Sequence, residues 1–187
     1  AQSRHTRIKA VIAFIKYLNV RGISSIMPPE SPPHGKRNYI PHSFTEDEFR
    51  RFFYECDNIP ISGGLMKNDS FRRSLIIPVF FRLLYSSGIR TTEARLLSRD
   101  DADLENGILE IKRSKGYDQH YVALHDSMTI MLREYSFAMD AVMPERVAFF
   151  PNRQGLFLRT QWVSDTFKYI WNKANPDVKA VAYDIRH

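Results

Sequence analysis

The residue types best able to do chemistry are spread along the chain rather than clustered in it. Arg90 lies in Leu83-Leu84-Tyr85-Ser86-Ser87-Gly88-Ile89-Arg90-Thr91-Thr92-Glu93, just past a helix-ending glycine and three residues before a carboxylate. A guanidinium at such a junction can give a phosphate two parallel charge-assisted hydrogen bonds, with Glu93 steadying the fork. A surface Arg90–Glu93 ion pair of little energetic worth fits the same spacing. Lys115 sits in Arg113-Ser114-Lys115-Gly116-Tyr117. At the tip of a loop, a lysine can protonate a departing oxygen and stabilise charge on a bound phosphate. A solvated turn lysine is the plainer reading. A second arginine, Arg186, follows in Ala182-Tyr183-Asp184-Ile185-Arg186-His187. His120 and His125 are five apart, at opposite ends of a strand and its exit, and no cysteine cluster completes a ligand set, so no metal site is expected.

The elements that must carry these residues are read from periodicity and punctuation. Ile8, Val11, Ile12, Ile15 and Leu18 give one apolar stripe on a helix from Thr6 to Val20, stopped by Gly22. One helix cannot bury that stripe alone, so residues 1–27 read as the last helix of an upstream domain. Pro28, Pro29, Pro32, Pro33 and Pro41 make residues 28–42 an extended linker, with Lys36 and Arg37 placed to lie along a phosphate backbone. Thr45 and Glu48 have capping-box spacing ahead of Phe49, Phe52 and Phe53. A second helix is predicted from about Ser70 to Ser87, with Pro78 either kinking it or marking a late start. Thr91–Leu97 reads as a short helix. Ile108–Lys112 and His120–Leu124 read as a β-hairpin around Ser114, Lys115 and Gly116. Asp126 is expected to cap a helix reaching about Met139, and Thr160 another through Ala174, with a brief apolar segment at Val147–Phe150. The expected fold class is mainly α with a small antiparallel β-sheet (α+β). The aromatics Phe80, Phe81, Trp162, Phe167 and Trp171 read as core, and Arg50-Arg51 and Arg72-Arg73 as solvated helix faces.

Gly-Ile-Arg-x-x-Glu, a lysine-tipped hairpin followed by Tyr-Val-Ala-Leu, and then Asp-Ile-Arg-His about ninety residues later together resemble the catalytic domain of tyrosine recombinases, the phage-integrase family. The resemblance covers about Ser43 to His187, giving a catalytic domain over 43–187, and likens residues 1–27 to the end of a core-binding domain. It implies metal-free, cofactor-free strand cleavage and rejoining at double-stranded DNA through a 3′-phosphotyrosyl intermediate, by tetramers assembled on paired DNA sites. Arg90 and Arg186 then match the two arginines that clamp the phosphate. Lys115 matches the lysine that protonates the 5′-oxygen, and Lys36, Arg37, Arg113 and His187 become expected DNA contacts. Tyr183 occupies a catalytic position that is commonly histidine in the family; a phenol can hydrogen-bond phosphate but titrates near about 10. The sequence stops at His187, apparently in the first turn of a helix, and none of its nine tyrosines is an obvious nucleophile. These 187 residues are therefore expected to lack the C-terminal part of the domain and to be inactive alone. A catalytically silent DNA-binding homologue and a type IB topoisomerase-like enzyme are the alternatives.

Composition agrees with an anionic partner. The 27 Lys and Arg against 21 Asp and Glu give a net charge of +6, and residues 1–29 hold Arg4, Arg7, Lys9, Lys16 and Arg21 without one carboxylate. A 43% hydrophobic, 26% charged chain can bury a core. The single cysteine, Cys56, excludes an internal disulfide or a cysteine zinc cluster. No apolar run is long enough to span a membrane, and no secretory signal pattern opens the chain, so the sequence predicts a cytoplasmic protein, which the resemblance implies is bacterial or phage-encoded and acts on DNA.

Overall fold

The computed structural model describes residues 2–24, 26–30, 40–61, 63–64, 67–112 and 119–186. Lys36, Arg37, Arg113, Lys115 and His187 lie outside them. The chain divides into two compact units, Ala1–Ile40 and Pro41–His187. In the first, helix α1 spans Gln2–Val20, one turn earlier than the Thr6 start expected. It closes where Gly22 takes φ +68° and the amide N–H groups of Gly22 and Ile23 reach Asn19 O and Leu18 O at 3.0 Å each.

The second unit is mostly helical with one small sheet. Helix α2 (Glu46–Asp57) starts at the expected capping box: Thr45 Oγ1 accepts from Glu48 N at 3.3 Å, and Glu48 Oε2 accepts from Thr45 N at 2.8 Å. Helix α3 (Lys67–Ser87) runs unbroken through Pro78, so the proline marks no late start. At its end Gly88 adopts φ +65° and donates to Leu84 O at 3.1 Å. This left-handed residue turns the chain directly into α4 (Thr91–Arg95), which is two residues shorter than expected.

A 3-10 turn, Arg99–Asp101, leads into a three-stranded antiparallel sheet of order β1-β2-β3. The hairpin strands β2 (Ile108–Ile111) and β3 (His120–Ala123) pair Leu109 with Val122 and Ile111 with His120. The third strand, β1 (Ala102–Asp103), is too short to leave an alternation in the sequence. Helix α5 (Asp126–Val142) is capped by His125, whose Nδ1 accepts from Ser127 N at 3.3 Å. Helix α6 (Thr160–Ala174) is preceded by Arg159 in extended conformation. The expected caps, Asp126 and Thr160, are instead first helical residues, where Asp126 favours the positive end of the helix dipole.

α2 and α5 pack on α3, and α6 packs on α2. Phe52, Phe80, Phe81, Phe149, Phe150, Phe167 and Trp171 are almost fully buried. Their rings meet edge-on or tilted, as in Phe80–Phe150 (5.2 Å, 83°) and Phe52–Phe81 (5.3 Å, 75°), the arrangement that ring quadrupoles favour. Trp162 is partly buried against this core. Cys56 is fully buried beside it, and burial pushes its thiol pKa well up. The solvated-face expectation fails for Arg72. Arg72 is 5% exposed and its guanidinium donates to Pro151 O and to Asp69. Arg51 reaches across to Asn175. Sequence spacing put both pairs on helix surfaces, but a segment about 80 residues away meets Arg72, whereas Arg51 stays exposed while it bonds Asn175.

Candidate active site

Arg90 holds its place through its backbone as much as its side chain. It is the extended residue that caps α4, and Glu93, one turn on, folds back to it twice. Glu93 Oε2 accepts from Arg90 N at 2.7 Å, and Oε1 accepts from Arg90 Nη1 at 2.5 Å. The Glu93 side chain is 2% exposed and that of Arg90 41%. The pair is therefore more than a surface ion pair: the carboxylate is sealed in and the guanidinium is held at the surface. Burial alone would raise the Glu93 pKa, but the backbone N–H and guanidinium of Arg90, with a smaller contribution from His120, hold it below its ordinary value.

Arg186 is positioned by a different device. It ends a 3-10 turn, Ala182–Arg186, organised by the fully buried Asp184. Asp184 Oδ2 accepts from Val181 N at 3.0 Å, and Asp184 N donates to Val181 O at 2.9 Å. Upstream, the Trp171 indole N–H donates to Val178 O at 2.7 Å and moors the connecting segment to α6. With Asp184 and Ile185 turned inward, Tyr183 and Arg186 are left exposed. The two devices converge: Arg90, Tyr183 and Arg186 line one small depression with Leu84, Ile89 and Ile185. Residues as much as 96 positions apart thus bring two guanidinium side chains and a phenol to the border of one depression. That arrangement can bind an oxyanion and stabilise charge developing on it.

The hairpin approaches from the sheet. Lys112, the last described residue before its tip, pairs with Asp101 Oδ1 at 2.8 Å and Glu110 Oε2 at 3.0 Å, and these bonds raise its pKa. Arg113 and Lys115 belong to the tip, outside the described residues. His120, on the return strand, adds its field to the Glu93 carboxylate. Sequence reasoning weighed His120 only as a metal ligand; its bearing on Glu93 depends on how the sheet packs beside α4 and left no trace in spacing. Asp184 was legible only as part of a motif, although its position three residues after Val181 is the spacing of a turn cap. Among the described residues no three His, Cys, Asp or Glu side chains gather as a metal site. Also among them, no helix is long and apolar enough to cross a membrane.

Comparison with known proteins bears on this geometry. The family model described as "Phage integrase family" matches residues 42–187. A probable integrase/recombinase protein, MJ0367, of Methanocaldococcus jannaschii is 30% identical over 122 residues, covering 62% of this chain and 36% of that protein. The putative integrase/recombinase y4rE of Sinorhizobium fredii is 28% identical over 162 residues, covering 86% of this chain and 48% of that protein. The chain thus spans less than half the length of these curated relatives. Among solved structures, XerA recombinase superposes with a TM-score of 0.61 at 21% identity, covering 100% of this chain and 59% of that one. A lambda integrase tetramer bound to a Holliday junction gives 0.67 at 13% identity, covering 100% and 52%. At those identities the likeness is one of fold. The mainly helical architecture with its small antiparallel sheet is that of tyrosine-recombinase catalytic domains.

Proposed function

The chain belongs to the phage integrase family, and from that membership we propose that it is the phosphate-clamping module of a site-specific DNA recombinase. The observation that carries this reading is the shared depression lined by Arg90 and Arg186, 96 residues apart in the chain. In the proposed reaction, both guanidiniums hold the non-bridging oxygens of a scissile phosphodiester as charge builds on them. A tyrosine hydroxyl gives up its proton to solvent as its oxygen attacks phosphorus, the P–O5′ bond breaks, and Lys115 gives a proton to the departing 5′-oxygen. A 3′-phosphotyrosyl link stores the bond energy. A 5′-hydroxyl of another strand then attacks, joins the DNA and releases the tyrosine. Tyr183 donates a hydrogen bond to the phosphate and, as a phenol, carries no proton-transfer step near neutrality. The nucleophile is assigned to none of the nine tyrosines in this sequence.

Duplex DNA is the proposed substrate, with Lys36, Arg37, Arg113 and His187 contacting its backbone and tetramers forming on paired sites. Contacts to phosphate dominate, so affinity falls steeply with salt. The test uses the full-length natural protein and a pool of nicked suicide duplexes with randomised cores. The expected result is a covalent protein–DNA adduct that maps to one tyrosine and is lost in Arg90→Ala and in Arg186→Ala with the fold intact. That loss is about 3 kcal/mol or more of transition-state stabilisation. Either variant forming adduct at the wild-type rate overturns the clamp assignment. DNA bound tightly but never cut replaces the enzyme with a silent DNA-binding homologue, the reading that Tyr183 in place of histidine would favour.

A further inference from the structure

A second depression adjoins the clamp, and nothing in the proposed chemistry uses it. Arg95, Thr91 and Thr160 line it over a floor that includes Val163 and Val181, and Tyr183 stands at its border. Its volume is about 190 Å³, several times the roughly 30 Å³ share of one water. Thr91, Ala182 and Tyr183 line both depressions, so the two are contiguous. No carboxylate lines either one.

Arg95 shares a trait with Arg73, a half-buried guanidinium with no carboxylate partner among the described residues and a buried Nε–H without acceptor, but Arg95 alone of the two lines this depression. Arg72, Arg90 and Arg146 each meet a carboxylate: Asp69, Glu93 and Asp140 respectively. Arg95 is half-buried, yet among the described residues it makes no ion pair; its Nη1 donates to the backbone carbonyl of Leu158 at 3.1 Å. Its Nε–H is buried with no acceptor. Withdrawing a cation from water without an anion is costly, and the cost is recovered when an anion arrives. The Leu158 bond ties the guanidinium to the segment that leads into α6, and the hydroxyl-bearing Thr91, Thr160 and Ser164 line the same depression. The cavity therefore has a fixed positive charge, neutral donors, an apolar floor and no negative charge of its own.

We propose that this depression binds a second, non-scissile backbone phosphate of the DNA, next to the one held by Arg90 and Arg186, and so fixes the register of the strand on the clamp. This inference rests on the DNA-binding reading above. Arg95 is a positioning residue here: it grips the strand one step from the bond that breaks, and Tyr183 separates the two phosphates.

The test is a salt titration of binding to a mixed-sequence duplex by fluorescence anisotropy, using wild type, Arg95→Leu and Arg95→Lys, each checked for folding by thermal melting. One lost phosphate contact lowers the slope of log affinity against log salt by about 0.9. Between about 50 and 200 mM salt, Arg95→Leu should therefore lose about 3- to 4-fold less affinity than wild type. Arg95→Lys should keep the wild-type slope. In wild type, the Arg95 Nε–H resonance, assigned by its absence from Arg95→Leu, should shift when duplex is added. A wild type that binds DNA while this resonance stays put, or an Arg95→Leu that keeps the full slope, overturns the second site and leaves the clamp standing. A slope lost equally in Arg95→Lys assigns the effect to packing and also overturns it. A wild type that does not bind duplex at all overturns this inference together with the DNA reading beneath it.

Discussion

Asn175 and Arg51 lie 124 residues apart in sequence and meet through one oxygen: the Asn175 side-chain carbonyl accepts from Nε and Nη2 of Arg51, at 2.9 and 2.7 Å. The Asn175 amide nitrogen in turn donates to Glu48 O at 3.3 Å. Asn175 is the residue that ends α6, so this knot fastens the start of the arm that leads to Arg186 onto α2. Asn175→Ala frees the exposed Arg51 to water but leaves the buried Glu48 carbonyl without this donor. A loss of about 1 to 3 kcal/mol is expected in urea denaturation, with the slope of the transition unchanged.

Acid should loosen the link between α3 and the loop at Pro151–Arg153. Asp69 is bonded by Arg153 at 2.9 Å and by Arg72 at 2.7 Å, and these bonds hold its carboxyl down to about 2 against the pull of burial. A depressed folded-state pKa contributes stability that is fully present above the unfolded value and is lost as pH falls through the folded one. The window therefore runs from about pH 4 down to about pH 2. Asp69→Asn should remove on the order of 1 to 2 kcal/mol at neutral pH, counting solvent screening of the exposed Arg153, and should flatten the acid limb of a stability–pH curve. An unchanged acid limb would assign the acid sensitivity to other carboxylates.

For Lys115, the proton-donor role predicts a chemical rescue. Lys115→Ala in the full-length enzyme should cut slowly on ordinary DNA, by about 100-fold or more. It should recover on a duplex whose leaving group is a 5′-thiolate, which departs without a proton. Equal slowness on both substrates would leave the lysine as a phosphate contact only.

Two glycines with similar backbone angles should differ in their tolerance of a side chain. Gly88 and Gly107 have φ of +65° and +67°, but a Cβ at Gly88 meets nothing within 4 Å whereas one at Gly107 would come to 2.8 Å from Thr129 Oγ1. Gly88→Ala should cost about 1 kcal/mol, the left-handed penalty alone. Gly107→Ala should cost more, because Thr129 is buried and its hydroxyl already donates to His125 O at 3.3 Å. Thermal melts of the two variants measure the difference.

Much of this architecture was legible before any coordinates because local chemistry marks it. The Thr45–Glu48 box, Gly88 after α3, and the β2–β3 hairpin are each fixed by residues within a few positions of one another. What escaped was set at long range. β1 has two residues and exists through pairing with β2, and Arg72 is buried by Pro151, which no periodicity in α3 foretells. The caps at His125 and Arg159 were missed because the side chains that usually cap, Asp126 and Thr160, stand one place later. Arg90, Tyr183 and Arg186 could be named from motif spacing, yet their common depression depends on how α4 and the final turn pack. Glu93 was placed correctly beside Arg90, but its burial, which separates a pre-set clamp from an ordinary surface pair, is a property of the packed domain.

That burial has an entropic consequence. A free arginine side chain gives up about 2 kcal/mol of rotamer freedom when it is ordered. Glu93 imposes this ordering on Arg90 as the domain folds, so an arriving oxyanion meets a guanidinium that has little motion left to lose. In the proposed clamp, the grip of Arg90 on an oxyanion would accordingly be tied to the folding equilibrium: agents that loosen α4 should weaken anion capture before they unfold the protein.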